Sequence, residues 1–293
     1  MKKFLLTLLP LLPCSTYVFG NMEYSGDVSV GYNNNVANAI SEFDIIEDEF
    51  AEANFNISKL WLPAVGKSIV LSGHLGTEQY QDSEGLSRYH YGASASYIHR
   101  LGLGAYAPRF SISLRGDKRD FETDTRDGWL YRGSFSLEKR FLPELHASIT
   151  ITREIRTADD NLTVPYFALA PSDVFSQQNT ELTASVDYTL ENGSVLTARY
   201  LYRDGEVDAS THPASDFFFI SKAIAQDYEV CKTCGEYVVY KADASVQSIM
   251  LDWNFELGRD TSLSANIERR IADAEGGVTY TGSIFRVQLN RRF

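Results

Sequence analysis

Past its first twenty residues the chain has no apolar run approaching the roughly 20 residues that carry an α-helix across a membrane. A helical membrane protein is thereby excluded. It also lacks basic charge: 27 Lys and Arg stand against 39 Asp and Glu, for a net charge of −12. A protein that grips phosphate backbones needs a basic face, so nucleic acid is excluded as a partner. Cofactor signatures are missing too. The two cysteines beyond residue 20, Cys231 and Cys234 in "VCKTCGEY", are followed by Gly235 where c-type haem attachment needs His. A zinc site would require two further ligands, and only His212 lies near as an obvious candidate. No thioredoxin-like strand–helix–strand pattern surrounds the pair, so a disulfide in an oxidising compartment is the expectation. The acidic runs "FETDTRD" and "SEFDIIEDEFAE" lack the EF-hand spacing and read as solvated loops. No metal and no cofactor is expected.

What the chain does have is aromatic side chains, 13% of residues with 17 Tyr and 17 Phe, which rules out a disordered polymer. Its start, "MKKFLLTLLPLLPCSTYVFG", has a basic tip, an apolar stretch from Phe4 to Leu12 and a small or polar end. That is the layout of a secretory signal peptide over residues 1–20, with Val18 and Gly20 before the cleavage point. A lipoprotein reading on Cys14 is disfavoured by Pro13, which stands where a small residue usually precedes the lipidated Cys.

From residue 21 to 293 the pattern is one of apolar and polar residues alternating in segments separated by turn chemistry. Twelve segments stand out, over 23–32, 48–61, 67–79, 87–100, 105–116, 128–140, 144–156, 179–190, 194–204, 245–257, 261–272 and 278–293. In "LHASITITREI" Leu145, Ala147, Ile149 and Ile151 share one face, and His146, Ser148, Thr150, Thr152 and Glu154 the other. Strands of soluble sandwiches typically run about 5–6 residues. These approach the 9–11 that cross a membrane at a tilt. The connections alternate as well: "LPAVG", "LGLG", "FLPE", "ENGS" and "GRDT" are tight, and the intervening ones are mostly long. The longest runs from Asp204 to Ala244 and carries the apolar stretch "SDFFFISKAIAQDYEV".

The last segment, "SIFRVQLNRRF", sets Phe285, Val287, Leu289 and Phe293 on one face and Arg286, Gln288 and Asn290 on the other. Strand spacing carried to a final aromatic fits a strand that closes a sheet against the first one, leaving no edge in lipid. With this segment, the leader and the alternation, the chain resembles the bacterial outer-membrane β-barrel proteins. More loosely, "SVGYNNNVANA" and "APRFSISLRGDKRDFETDTRDGWLYRGSFSLEKR" resemble the barrel module of surface-lipoprotein assembly modifiers and related exporters. No helical-repeat domain precedes it here, and Arg291 stands where an apolar residue is common in barrel-closing strands. The resemblance implies an all-β fold, a transmembrane antiparallel up-and-down barrel of about twelve strands within a range of ten to fourteen. Short periplasmic turns, long external loops and placement in the cell outer membrane go with it. It also implies contact with lipid and lipopolysaccharide, handling by the barrel-assembly machinery, and room for a periplasmic partner.

The pleat assigns faces. Trp129, Tyr131 and Phe135, with Leu196, Ala198, Tyr200 and Tyr202, are expected outside. Arg109, Arg115, Arg132, Arg140 and Arg156 are expected on one inner wall, with Glu181, Asp187, Asp252, Glu256 and Glu268 opposite, interrupted by Arg199. Basic residues facing acidic ones across a lumen sort charged solutes, whereas pairing across a narrow interior closes it. Expected function is therefore a porin-like pathway for a polar or charged solute, gated by the Asp204–Ala244 connection. The alternatives are a secretion or surface-assembly component working with a periplasmic partner, and a closed structural or adhesive barrel. Catalysis is not expected. His146 and Ser148 reproduce the His-x-Ser spacing of outer-membrane lipid hydrolases, yet they follow a turn expected in the periplasm, point inward, and have no evident third member to orient the His.

Overall fold

In a computed structural model the described residues are 22–159, 172–213, 220–227, 230 and 236–293. The leader 1–20 and both Cys231 and Cys234 lie outside them. Thirteen strands form: β1 Met22–Asn33, β2 Asp48–Ala64, β3 Lys67–Tyr80, β4 Arg88–Arg100, β5 Arg109–Phe121, β6 Gly128–Arg140 and β7 Leu145–Ala158. β8 is Gln177–Thr189, β9 Val195–Thr211, β10 Ala223–Asp227, β11 Tyr237–Glu256, β12 Thr261–Ala274 and β13 Val278–Arg292. Consecutive strands pair antiparallel except β9 and β10, and β11 joins β9 directly. β13 returns to pair with β1, with Phe285 opposite Tyr32, Val287 opposite Val30 and Leu289 opposite Val28. Twelve strands thus close a barrel, and β10 is an addition to the outer part of β11.

All twelve expected segments are strands, with two differences of substance. β5 lies about four residues further along than its alternation suggested, because Gly102 and Gly104 both take positive φ and hold an eight-residue turn before Arg109. The Asp204–Ala244 connection is largely not a loop: β9 runs on to Thr211, β11 begins at Tyr237, and β10 pairs along it.

The barrel is apolar outside. Ile149 and Ile151 on β7 are 55% and 53% exposed, and Ile249, Leu251, Trp253, Phe285, Leu289 and Phe293 are likewise bare. Trp129 and Tyr131 stack on the outer face with ring centroids 6.1 Å apart. Water would penalise such a surface, while hydrocarbon suits it. The polar positions of the same strands point inward, so the period of two that built the strands also sorts the two solvents. Conversely, the buried apolar side chains all lie in the half of the barrel that carries the long loops. Among the described residues most of them form four clusters around β9, β10 and β11, including Val207 with Val246 and Tyr280, and Val238 with Tyr240 and Ala209.

The exterior assignment makes a direct prediction. Ile151→Arg places a guanidinium at mid-strand on the outer face and should lower unfolding stability in lipid vesicles by about 2–4 kcal/mol. Thr150→Ser, one residue away on the inner face, should stay within about 1 kcal/mol. Equal losses from denaturant titrations of the two would refute this facing.

Candidate functional site: the lumen and its lid

The inner wall carries a near-continuous circuit of polar pairs between neighbouring strands. Arg109 Nε donates to Glu138 at 2.6 Å, Arg115 Nε to Asp117 at 2.7 Å and Arg132 Nε to Glu154 at 2.8 Å. Arg286 lies 3.6 Å from Glu52, and Asn54 donates to Asp27 at 2.9 Å. Ser248 Oγ donates to Glu268 at 2.7 Å, with Arg270 at 3.2 Å from the same carboxylate, and Asn266 donates to Asp252 at 2.8 Å. Arg156 Nη2 donates to the Arg126 carbonyl at 3.1 Å and Arg199 Nη1 contacts Met250 Sδ at 3.3 Å. Arg140 and Glu256 are exposed at the end where the tight turns lie. The β5–β7 wall is therefore not uniformly basic: three of its expected arginines are matched by acids on the same or the adjacent strand.

Sequence reasoning missed several members of this circuit. Asp117 is buried and meets His74 Nε2 although the two belong to β5 and β3. Gly92 explains the contact. On the intervening strand β4 it pairs with His74 on one side and Asp117 on the other. A Cβ there would sit 2.7 Å from Asp117 Oδ1 and 2.9 Å from His74 Nε2. An Ala at that position occupies the gap through which the two side chains meet, a juxtaposition visible only once the register is known.

His146 presents the opposite case. Asp187 supplies the orienting acid that the sequence did not reveal, 2.9 Å from Nδ1. Thr197 Oγ1 donates to the same Asp187 at 2.8 Å. The other ring nitrogen faces Glu138 at 3.6 Å, and Ser148 Oγ is bonded to Ser185 Oγ at 2.7 Å. The His thus has its acid but is not set against a nucleophile, and the cluster reads as polar wall.

At the loop end the lumen is covered. Gly205, at φ +141°, is the last β9 residue paired with β8. Beyond it β9 carries only β11, and with β10 they make a three-stranded extension. This extension touches loops from around the ring. Arg126 of the β5–β6 connection donates to Asp227 at 2.8 Å and reaches Asp208 at 3.4 Å. Gln177 Nε2 at the start of β8 donates to Asp208 at 2.7 Å, and Ser210 Oγ to Asp227 at 2.6 Å. From the β1–β2 connection, Asn38 Nδ2 donates to the Asp208 carbonyl at 3.1 Å, and Asp44 accepts from Thr211 Oγ1 at 2.5 Å. Leu86 of the β3–β4 connection, across the ring, packs on Ala37, Ala39, Val230 and Tyr237. A segment that meets loops on the far side of the ring lies across the mouth, and we call it the lid.

Arg126 is 5% exposed and stacks over Phe175 at 4.5 Å. Burial by itself raises the Asp208 carboxyl, but Arg156 and Arg126 outweigh it and hold the group below the ordinary value of 3.8. A depressed carboxyl stabilises the folded lid above its ordinary titration range, and that contribution is lost as pH falls through the lower folded value.

No family model matches the sequence, and no curated protein is recovered by sequence similarity. The fold has solved relatives in shape. An outer membrane channel from Pseudomonas putida F1 superposes at TM-score 0.60 with 10% identity, over 94% of this chain and 96% of that one. The KdgM porin in complex with disordered oligogalacturonate gives TM-score 0.46 at 10% identity, over 92% and 99%. The Salmonella typhi outer membrane phospholipase dimer with bound calcium gives 0.46 at 8%, over 94% of each. The last two scores carry no argument, and the first speaks to architecture alone. The chain has the fold of outer-membrane β-barrel proteins.

Removing one partner from a buried ion pair typically costs about 3–5 kcal/mol. Arg126→Ala should therefore speed amide exchange at Val238–Tyr240 by on the order of a hundredfold or more, leaving β6–β7 unchanged. In the wild type the same protection, corrected for intrinsic exchange, should persist from neutral pH to about 4 and fall on further acidification. Unaltered protection in the variant would mean that the lid is not held at this seam.

Proposed function

We propose that the barrel sits in the outer membrane, with its tight turns in the periplasm, and provides a gated pathway for a small polar or charged solute. The observation that carries this reading is the combination of a polar inner wall with a lid seated on hydrogen bonds and ion pairs. Twelve strands enclose more than the eight whose side chains fill a barrel, and less than a sixteen-stranded porin. Alternating charges along such a wall offer a solute successive partners without a deep trap. The likeness to an outer membrane channel supports the architecture that this reading needs.

Lid contacts support gating rather than permanent closure. Asp208, Asp227 and Arg126 are desolvated partners that gain new hydration when separated, so parting them costs less than exposing an equal apolar area. The hinge would lie at Gly205, where β9 leaves β8 with a backbone conformation that L side chains rarely adopt.

Single-channel recording in planar bilayers tests the proposal. The purified barrel should open rarely at neutral pH and more often as Arg126→Ala. Replacing residues 206–243 by a short Gly-Ser turn should give steady current. In a salt gradient, reversal potentials of that open form should move toward cation selectivity when Arg115 and Arg132 become Ala. A barrel that remains silent after lid removal excludes a pathway.

A further inference from the structure

Beneath the lid, on the β8–β13 side of the lumen, lies a cavity of about 190 Å³ lined by Glu181, Arg203, Glu268, Arg270, Tyr280 and Asn35. Some of its polar groups are satisfied. Glu268 is held by Arg270 and Ser248, and Asn35 bonds the Ala39 and Thr281 carbonyls at 2.9 and 3.0 Å. Three are not. Tyr280 is 5% exposed and its hydroxyl has no hydrogen-bond partner among the described residues. Arg203 Nε is buried and equally unpartnered. Glu181 is opposite Arg203 in the β8–β9 register, yet the two side chains form no ion pair. Buried donors and acceptors in folded proteins are paired as a rule, and each exception calls for a reason. Two such exceptions, Arg203 Nε and the Tyr280 hydroxyl, line this one cavity.

We propose that this cavity is a binding site for a small zwitterion of the free amino acid class. The inference rests on the lumenal pathway above and names its solute class. Glu181 offers a carboxylate to an ammonium group, Arg203 offers a guanidinium to a carboxylate, and the Tyr280 hydroxyl serves either end or a polar side chain. A single anion would answer Arg203 but lie against Glu181 and Glu268, and a single cation would lie against Arg203 and Arg270. A neutral polyol would answer neither charge. A ligand carrying both charges answers both groups. The volume limits its size: it lies under the roughly 300 Å³ at which drug-sized sites begin. It also exceeds what one or two waters fill, at roughly 30 Å³ each.

Isothermal titration calorimetry on the purified full-length barrel in detergent provides the test, with L-alanine and L-glutamine as probes and acetate, ethylammonium and xylitol as controls. The amino acids should bind and the controls should bind at least tenfold more weakly. Loss of one charge-assisted contact costs on the order of tenfold or more, so Glu181→Gln and Arg203→Gln should each weaken binding by that factor. Tyr280→Phe should weaken it less. Heat-modifiable gel mobility checks that each variant is folded, and repeating the titration on Arg126→Ala ensures that a closed lid does not mask the site. Absence of binding in both lid states overturns the inference and leaves the cavity to water. Xylitol binding as tightly as alanine overturns it as well. Conductance separates the two readings: a barrel that conducts but binds no amino acid loses only this site, and one that binds alanine without conducting keeps the site and loses the pathway.

Discussion

The constraint on which the rest depends is that hydrocarbon offers no hydrogen bonds to a peptide group. Each exposed N–H or C=O at that depth costs several kcal/mol, so a sheet crossing it cannot have an edge. The β13–β1 pairing meets this requirement from Ser25 with Arg292 to Asn33 with Ile284. Closure in turn fixes the pleat at each position, because a slip of one residue would turn Leu289 and Phe285 inward and Arg286 outward. Side-chain sorting then follows: apolar residues face the exterior, and the charged remainder must find partners across neighbouring strands. The Arg132–Glu154 and Arg109–Glu138 pairs are thus consequences of closure as much as elements of function.

Because the exterior takes the apolar side chains and the lumen the polar ones, this chain has its packed apolar core at neither place. The clusters around Val207, Val238, Val239 and Tyr237 gather at the mouth, where the strands project past the membrane and both faces of the sheet need cover. A projecting strand pair without cover would be an exposed edge. β10 pairs with one side of β11, and the Ala37 carbonyl accepts from the Ser210 amide at 2.8 Å on the free side of β9. Lid formation therefore answers the same edge problem that closes the barrel, now solved with water on one side.

Strand number and facing were legible because alternation is local, as β7 and β11 illustrate with Ile149, Ile151, Ile249 and Leu251. The misplaced end of β5 and the extensions of β9 and β11 were not. In "GDKRDF" both faces carry charge, since Lys118 and Asp120 on the outer face lie beyond the hydrocarbon. In "YVVY", residues 237–240, both faces are apolar because both are covered. A period-two signal exists only where the two faces meet different solvents, and it vanishes where they meet the same one. At the site, the inner positions of arginines could be read from spacing, but their partners could not. Arg126 meets Asp227 over 101 residues of chain, and His74 meets Asp117 through the gap at Gly92. Such contacts are set by ring order and register rather than by any local motif.

On the proposed gating, a lid that both seals and opens would need contacts whose loss is cheap relative to their number. Within the extension, an apolar cluster of Ala209, Ile224, Val238, Tyr240 and Ala242 binds β9, β10 and β11 to one another. Across the seam polar contacts are prominent: Arg126 to Asp208 and Asp227, Gln177 to Asp208, and Asp44 to Thr211 and His212. Apolar surface crosses it as well: Val174 and Phe175 pack on Ala223, Ala225 and Val239, Val207 packs with Ala272 and Tyr280, and Leu86 packs with Ala37, Ala39, Val230 and Tyr237. Buried ion pairs nearly break even against hydration, so the polar contacts specify one closed position while the apolar clusters supply most of its depth. An apolar seam of the same extent would act as a plug, since opening it would expose its whole area to water at about 25 cal/mol per Å². The balance of ion pairs and apolar contacts in the seam, more than the presence of a lid, would decide between a gate and a stopper.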